Sequence, residues 1–409
     1  MEHAQEYLEL ILDIGAAMIR SGAETHRVED SLYRLAEAYT FRDSQIWVVP
    51  TNIQASLRTP EGDYITQIRH IRGAGIDLDR LEQLNALSRR ACAEKPESGE
   101  LKASLEAILR TAPQPLWLTL LAGVLGGACF GVFFNCDLMD TLVAAVASLL
   151  ITFFLQRLGR RESNPLILNF LISCVTEAFI LLSVRLGIGH HGGYITVGVV
   201  MLLISALGAA NGLRDLVHLD TLSGVMNITV SLTGAIGIAL GIALPLFLLK
   251  DWGGGEITAL NPNVFLQLAA ATFGCAGFAL WFRVRGRKVL FCALGGLLTW
   301  GTYLICVRLT GSFFAATFTG AALCGLYAQV MARILRAPAT VFSTVCVLPL
   351  IPGAALYYTM AGLVMKNADL AAEKGLDLFL ACFGIVLGFM AVEVVSRLVW
   401  RAVGSGGKK

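Results

Sequence analysis

From Pro115 onward the chain repeats one feature that constrains everything else, apolar runs of about twenty residues with almost no charge, the length that crosses the hydrocarbon core of a bilayer. A soluble core cannot bury so many such runs, so lipid is the solvent they require. They fall at 116–135, 138–156, 165–184, 194–210 and 222–249. After a polar loop at 250–263 they resume at 264–282, 289–307, 312–332, 340–364 and 376–398. Composition agrees, with 56% of the 409 residues hydrophobic and 15% charged, and a mean hydropathy of +0.67, outside the usual soluble range. The expected fold is a polytopic α-helical membrane protein of about ten transmembrane helices. Two five-helix modules, at 113–252 and 253–409, follow a small α/β domain at 1–112.

Cationic side chains in short loops favour the cytoplasmic side. One set of loops carries Arg157, Arg160 and Arg161, then Arg214, then Arg283, Arg285, Arg287 and Lys288, then Arg333 and Arg336, and finally Arg397, Arg401, Lys408 and Lys409. The alternate set is sparse, with Arg185, Lys250, Arg308, and Lys366 with Lys374. MEHAQEYLEL has no basic stretch ahead of an apolar one, so no cleaved leader is expected. Both termini and the α/β domain are therefore expected on the cytoplasmic side of a bacterial inner membrane. An odd number of spans per module inverts the second relative to the first, as in inverted-repeat transporters. A short echo, Leu207-Gly208-Ala209-Ala210 against Pro352-Gly353-Ala354-Ala355, is consistent with a repeat.

In the N-terminal domain, apolar residues at three- and four-residue spacing over 6–39 predict one long amphipathic helix or two shorter ones. Ser21, Gly22, Ala23, Glu24, Thr25, His26, Arg27, Val28, Glu29 and Asp30 interrupt the stripe. A hydrolase would use Ser21 as nucleophile, His26 as base and Glu29 or Asp30 as its orienting acid. A five-residue offset turns Ser21 and His26 about 140° apart on one helix, which argues against it. The alternatives are an ion-paired surface, with Arg20–Glu24 and His26–Asp30 at i,i+4, or a gating or docking contact with the membrane part. Strands are expected at 45–49, 53–57 and 64–68 with a turn at 59–63. A helix at 78–92 would be capped by Asp77.

Net charge is +2, with no dense Lys/Arg block, which speaks against nucleic acid as a partner. The ten cysteines are scattered singly, so neither a disulfide framework nor a metal centre is expected. No cofactor motif appears, and the absence of GxxxxGK[ST] argues against direct ATP drive. The expected partners are lipid, a small-molecule solute and protons, with a homo-oligomer left open.

Ionisable groups inside spans are expensive and so mark candidate functional positions. Glu177 is the clearest, with Asn169, Ser173 and Thr176 on nearby turns. It is either the carrier of a coupling proton or a protonated structural acid bonded to a neighbouring helix. Asn211, Arg214, Asp215, His218 and Asp220 concentrate polarity between two apolar runs, as a re-entrant segment or a cytoplasmic loop. The following span opens polar with Ser223, Asn227, Thr229, Ser231 and Thr233. Pro349 and Pro352, followed by Gly353, interrupt another span. Proline removes a backbone donor, which would free carbonyls near Val345 and Leu348 to face a ligand. A merely kinked packing helix is the alternative. Glu393 and Arg397 read as an interfacial ion pair.

Together these residues resemble the threonine/serine exporter family, whose members are either one fused chain or two subunits. Ser21-Gly22-Ala23-Glu24-Thr25 with Arg27 and Glu29 looks like its N-terminal signature. Asn211, Arg214, Asp215, Asp220, Ser223 and Gly224 look like its stretch between spans, and Pro349-Leu350-Ile351-Pro352-Gly353 with Tyr357 like the mark of its second module. Relatives usually place Pro-Gly before the Asn-x-x-Arg-Asp stretch, whereas this chain reads Ser205-Ala206-Leu207-Gly208. The resemblance implies a non-enzymatic secondary transporter exporting threonine and serine on the proton gradient. A similar two-subunit branch implies succinate export as the alternative, and a membrane-anchored hydrolase acting through the N-terminal domain is the competing class.

Overall fold

The computed structural model describes residues 2–406 apart from 74, 160, 163, 205–207, 209, 210, 213, 214, 217, 218, 250–259 and 365. The chain divides into two compact units. The first holds Met1–Gln114 with Asp215–Met226 and Phe282–Arg285; the second holds Pro115–Arg214, Asn227–Trp281 and Gly286–Lys409.

In the first unit α1 (Glu2–Arg20) and α2 (Thr25–Ala38) precede β1 (Arg42–Val49), β2 (Asn52–Arg58) and β3 (Tyr64–His70), and α3 (Leu78–Glu94) and α4 (Ser98–Leu109) follow. Helix α1 is the centre of the core, with Leu8, Ile11, Leu12 and Ile14 fully buried. Each such side chain contributes about 1.5–3 kcal/mol of burial. The strands form an antiparallel sheet in the order β1-β2-β3. Ile53, Ala55 and Leu57 of β2 point into the core. On the opposite face Trp47 lies across from Gln54, and Gln54 across from Ile68. Asp77 caps α3, its Oδ1 accepting from the Arg80 N–H at 3.0 Å. Arg283 pairs with Asp77 at 2.7 Å and Arg285 with Asp79 at 3.3 Å within the same unit.

The expected interruption of the first helix is a Schellman stop. Ala23 N–H donates to the Met18 carbonyl and Gly22 N–H to that of Ile19, the 6→1 and 5→2 bonds that place a left-handed residue at Gly22. Gly22 has φ +94°, and a Cβ there would stand 3.2 Å from the Gly75 carbonyl oxygen. Gly22→Ala should therefore destabilise the protein by about 1–3 kcal/mol. Thermal unfolding of the purified variant checks this, and an unchanged midpoint would refute it. The break also corrects the expected Arg20–Glu24 pair, since the two residues no longer share one helix. Glu24 pairs with Arg27 at 3.1 Å, and Asp30 with Arg34 at 3.2 Å.

The second unit is helical: α5 (Leu116–Phe133), α6 (Leu138–Leu158), α7 (Pro165–Arg185), α8 (Gly192–Val200), the greater part of α9 (Thr221–Leu248), α10 (Val264–Trp281), α11 (Lys288–Thr310), α12 (Phe313–Ile334), α13 (Ala339–Cys346), a 3₁₀ turn Leu348–Leu350, α14 (Gly353–Val364) and α15 (Ala368–Gly406). Among the described residues eight helices are long and apolar enough to cross a membrane. A ninth span results if the pair Ala339–Leu350 and Gly353–Leu363, bent by 57°, counts as one. The expected continuous helix at 194–210 is corrected. Helix α8 ends at Val200, where Leu202 and Leu203 donate back to Val199 and Val200 and tighten the chain into a turn.

Small residues set the helix packing. A Cβ on Gly277 would meet Gly126 backbone nitrogen at 2.5 Å, one on Gly123 would meet Trp281, and one on Gly274 would meet Phe130. Rising numbers on α5 thus face falling numbers on α10, so the first long helices of the two halves run antiparallel. Close glycine approaches of this kind drive helix association in lipid. Helix α7 runs parallel to α9, since Leu166 approaches Gly237 and Ser173 approaches Gly241 while Arg185 donates to the Leu249 carbonyl at 2.7 Å. Helices α12 and α15 repeat that relation, with Thr317 and Phe318 beside Gly384 and Gly388, and Gly325 beside Phe389. The chain between α7 and α9 includes the short helix α8, and the chain between α12 and α15 includes α13 and α14, which are bent against each other.

Candidate functional site

The two breaks meet. A Cβ on Gly353, the first residue of α14, would run into the Met201 sulfur and reach Ile204. Leu356 packs in a buried cluster with Ala235 and Ala239, against which Ile204 and Leu378 rest. Beside this junction Glu177 of α7 is buried, 5% exposed. Thr196 Oγ1, on α8, donates to Glu177 Oε2 at 2.8 Å. Ser173, Thr176 and Thr196 line with it a crevice too tight to admit water. Tyr357 of α14 lies within electrostatic range of Glu177. Glu177 is thus a buried carboxyl held by one hydroxyl, with residues of both α8 and α14 close to it.

The other expected pathway residues divide. Pro349 is buried in the 3₁₀ turn, and Pro352 and Gly353 open α14. The Val345 and Leu348 carbonyls, expected to be free for a ligand, have protein partners. Leu348 accepts from the Ile351 N–H at 3.1 Å and Val345 from the Cys275 thiol at 3.4 Å, because the chain tightens around the prolines. Asn227 lies in the second unit and its carbonyl accepts from Ser231. Asn211 is half-buried. Asp215 is buried and belongs with Asp220 to the first unit, where Asp220 stands within electrostatic range of Glu29. Arg214 lies outside the described residues, as do three of the four residues of the Leu207–Ala210 echo.

The N-terminal signature lies at the junction of α1 and α2. Ser21 is 1% exposed and its hydroxyl donates to the Ala17 carbonyl at 2.8 Å, which turns the proposed nucleophile back into α1. His26 Nε2 lies 3.7 Å from Glu24. Thr25 opens α2 and is buried. Burial, then the Asp220 carboxylate, pushes Glu29 above the usual carboxylate range, against the lowering effect of a bond from the Val48 N–H.

One polar cluster was not foreseen. Asp137 Oδ1 caps α6 and its Oδ2 meets His190 Nδ1 at 2.5 Å. Buried Asp140 accepts the backbone N–H groups of His190 and His191 on Oδ1, and meets His191 Nδ1 on Oδ2 at 2.9 Å. Asp137, Asp140 and His190 bring one ligand atom each within 4.8 Å of one another, a spacing a cation would accept, but their carboxylate oxygens already serve these bonds. The cluster therefore reads as a clasp between the start of α6 and the loop before α8. Its only sequence signal was paired Asp and His at span ends. The Asp140 N–H, then His190, hold Asp137 below its ordinary value, and Asp137 holds His190 above its own. Asp137 stabilises above its unfolded value and loses this as pH falls through its lowered one; His190 stabilises below about 6.5 and loses this as pH rises through its raised one. Asn preserves the helix cap, so Asp137→Asn should lower the thermal midpoint near pH 5–6 and shift it far less near pH 9. A deficit equal at both pH values would exclude the charge pair.

Fold and packing together define a polytopic helical membrane protein. The family described as "Putative threonine/serine exporter" matches over residues 9–249, and that described as "Threonine/Serine exporter, ThrE" over residues 267–395. The chain belongs to the threonine/serine exporter family. A protein of Mycobacterium tuberculosis (strain ATCC 25618 / H37Rv) named "Probable threonine/serine exporter" is 23% identical over 371 residues, covering 87% of this chain and 69% of its own length. No solved structure matches.

Proposed function

We propose that this chain exports threonine and serine by secondary transport, with inward proton movement through Glu177 as the driving reaction. The observation that carries this reading is the junction of two broken helices beside one buried carboxyl. Transporters built from repeats place their sites at such breaks near the midplane. The antiparallel course of α5 and α10, and the parallel pairs α7/α9 and α12/α15, support ten crossings in two inverted halves. The chain between α7 and α9 must then recross through the region of α8, whose nine residues span only about 14 Å at 1.5 Å per residue. The loop cations support cytoplasmic termini.

Reconstitution into vesicles with an imposed pH gradient tests the function. Labelled threonine or serine should accumulate against its own gradient, and collapse of the pH gradient should stop it. If succinate alone moves, the solute is a dicarboxylate; if none of the three moves under any gradient, the transport reading fails.

A further inference from the structure

A cavity of about 200 Å³ lies beneath the second helix break. Its walls are aromatic, built on Trp300 and Tyr303, whose rings stack with centroids 4.4 Å apart. Phe133 packs against Trp300 at 4.7 Å. The backbone turn from Pro349 to Pro352 and the Thr317 side chain complete it, with Tyr358. One opposite-charge pair belongs to the same cavity: Lys374 Nζ lies 3.3 Å from Asp377 Oδ2, one turn apart on α15. The Lys374 side chain is only 16% exposed and Asp377 45%.

We infer that this cavity is the recognition site for a small zwitterion, Lys374 receiving its carboxylate and Asp377 its ammonium. The inference rests on the amino-acid-export reading and adds to it a location and a rule of selection. Lys374 is held by Asp377 at 3.3 Å and, on its solvent side, by Glu373 at 2.7 Å, and a zwitterion inserted between Lys374 and Asp377 takes over that contact while adding no net charge. A dicarboxylate gains one attraction and meets one repulsion, worsened by Glu373, which itself lies 2.7 Å from Lys374 Nζ. Like charges in a low-dielectric site are strongly disfavoured. The volume is below the roughly 300–1,000 Å³ of drug-sized pockets, which suits a side chain the size of serine's or threonine's. Adjacency to Pro349 and Pro352 connects occupancy to the break that packs against Met201.

Equilibrium binding of labelled threonine to the full chain in lipid nanodiscs tests this. Lys374→Gln and Asp377→Asn should each weaken binding by about tenfold or more, equivalent to one lost charged contact. Succinate should compete poorly against the wild type. Because Trp300 forms one wall, saturating threonine should change tryptophan emission in the wild type and not in Trp300→Phe, a readout that does not depend on either charge variant folding. If the wild type binds neither threonine nor serine, the amino-acid reading itself fails. If it binds threonine, while emission from Trp300 is unmoved or both folded charge variants bind as tightly as the wild type, this cavity is not the site.

Discussion

Glu177→Gln should give a protein that still exchanges labelled threonine across a vesicle membrane but no longer accumulates it from a pH gradient. The two activities separate because Gln keeps the shape of Glu and still offers an oxygen to the Thr196 hydroxyl, 2.8 Å away in the parent. Packing along α7 and α8 is therefore preserved, while the proton-carrying atom pair is gone. Gradient-driven flux should fall by at least about tenfold, the rate equivalent of ~1.4 kcal/mol. Counterflow exchange should change far less. Tyr357→Phe, which removes the hydroxyl within electrostatic range of Glu177, should alter the pH dependence of flux with a smaller loss of rate. If Glu177→Gln drives accumulation as well as the parent does, Glu177 is a structural acid and the coupling proton travels elsewhere.

What could be read in the sequence follows from the range of the interactions involved. The strands were legible because Ile53, Ala55 and Leu57 alternate with polar neighbours, and α3 because Asp77 precedes its first apolar residue. Both signals lie within a few residues of what they determine. The stop at Gly22 was legible as an interruption, but the crowding that a side chain there would meet comes from the Gly75 carbonyl, distant in sequence. Glu177 stood out by cost alone. Its partner Thr196, nineteen residues away on another helix, carried no signal. Hydropathy reports solvent and not continuity, so 194–210 read as one helix although the chain tightens after Val200 without a proline. Lys374 registered only as a loop cation, because its pairing with Asp377 and its place in a cavity depend on α11, α12 and the proline turn being brought together.

Gly198→Val should be strongly damaging to the second unit. A Cβ at Gly198 would stand 2.5 Å from Gly131 Cα and 2.7 Å from its nitrogen, and backbone cannot rotate aside as a side chain can. The branched group must therefore push α8 away from α5, at a cost of upward of about 3 kcal/mol, the top of the usual range for overpacking. Folded protein recovered from the membrane should fall steeply, as measured by the monodisperse fraction in size-exclusion chromatography. Gly301→Val is the matched control, since the nearest atom to its Cβ is a Leu268 methyl at 3.8 Å, and its yield should stay close to the parent's. Gly198→Ala separates stability from function. Thr196, two residues earlier on α8, holds Glu177, so a smaller displacement that still permits folding should move the hydroxyl off the carboxylate and weaken gradient-driven flux. Normal yield and normal coupling in Gly198→Ala would mean that α8 has room to slide, and that its contact with Gly131 does not set the position of Thr196.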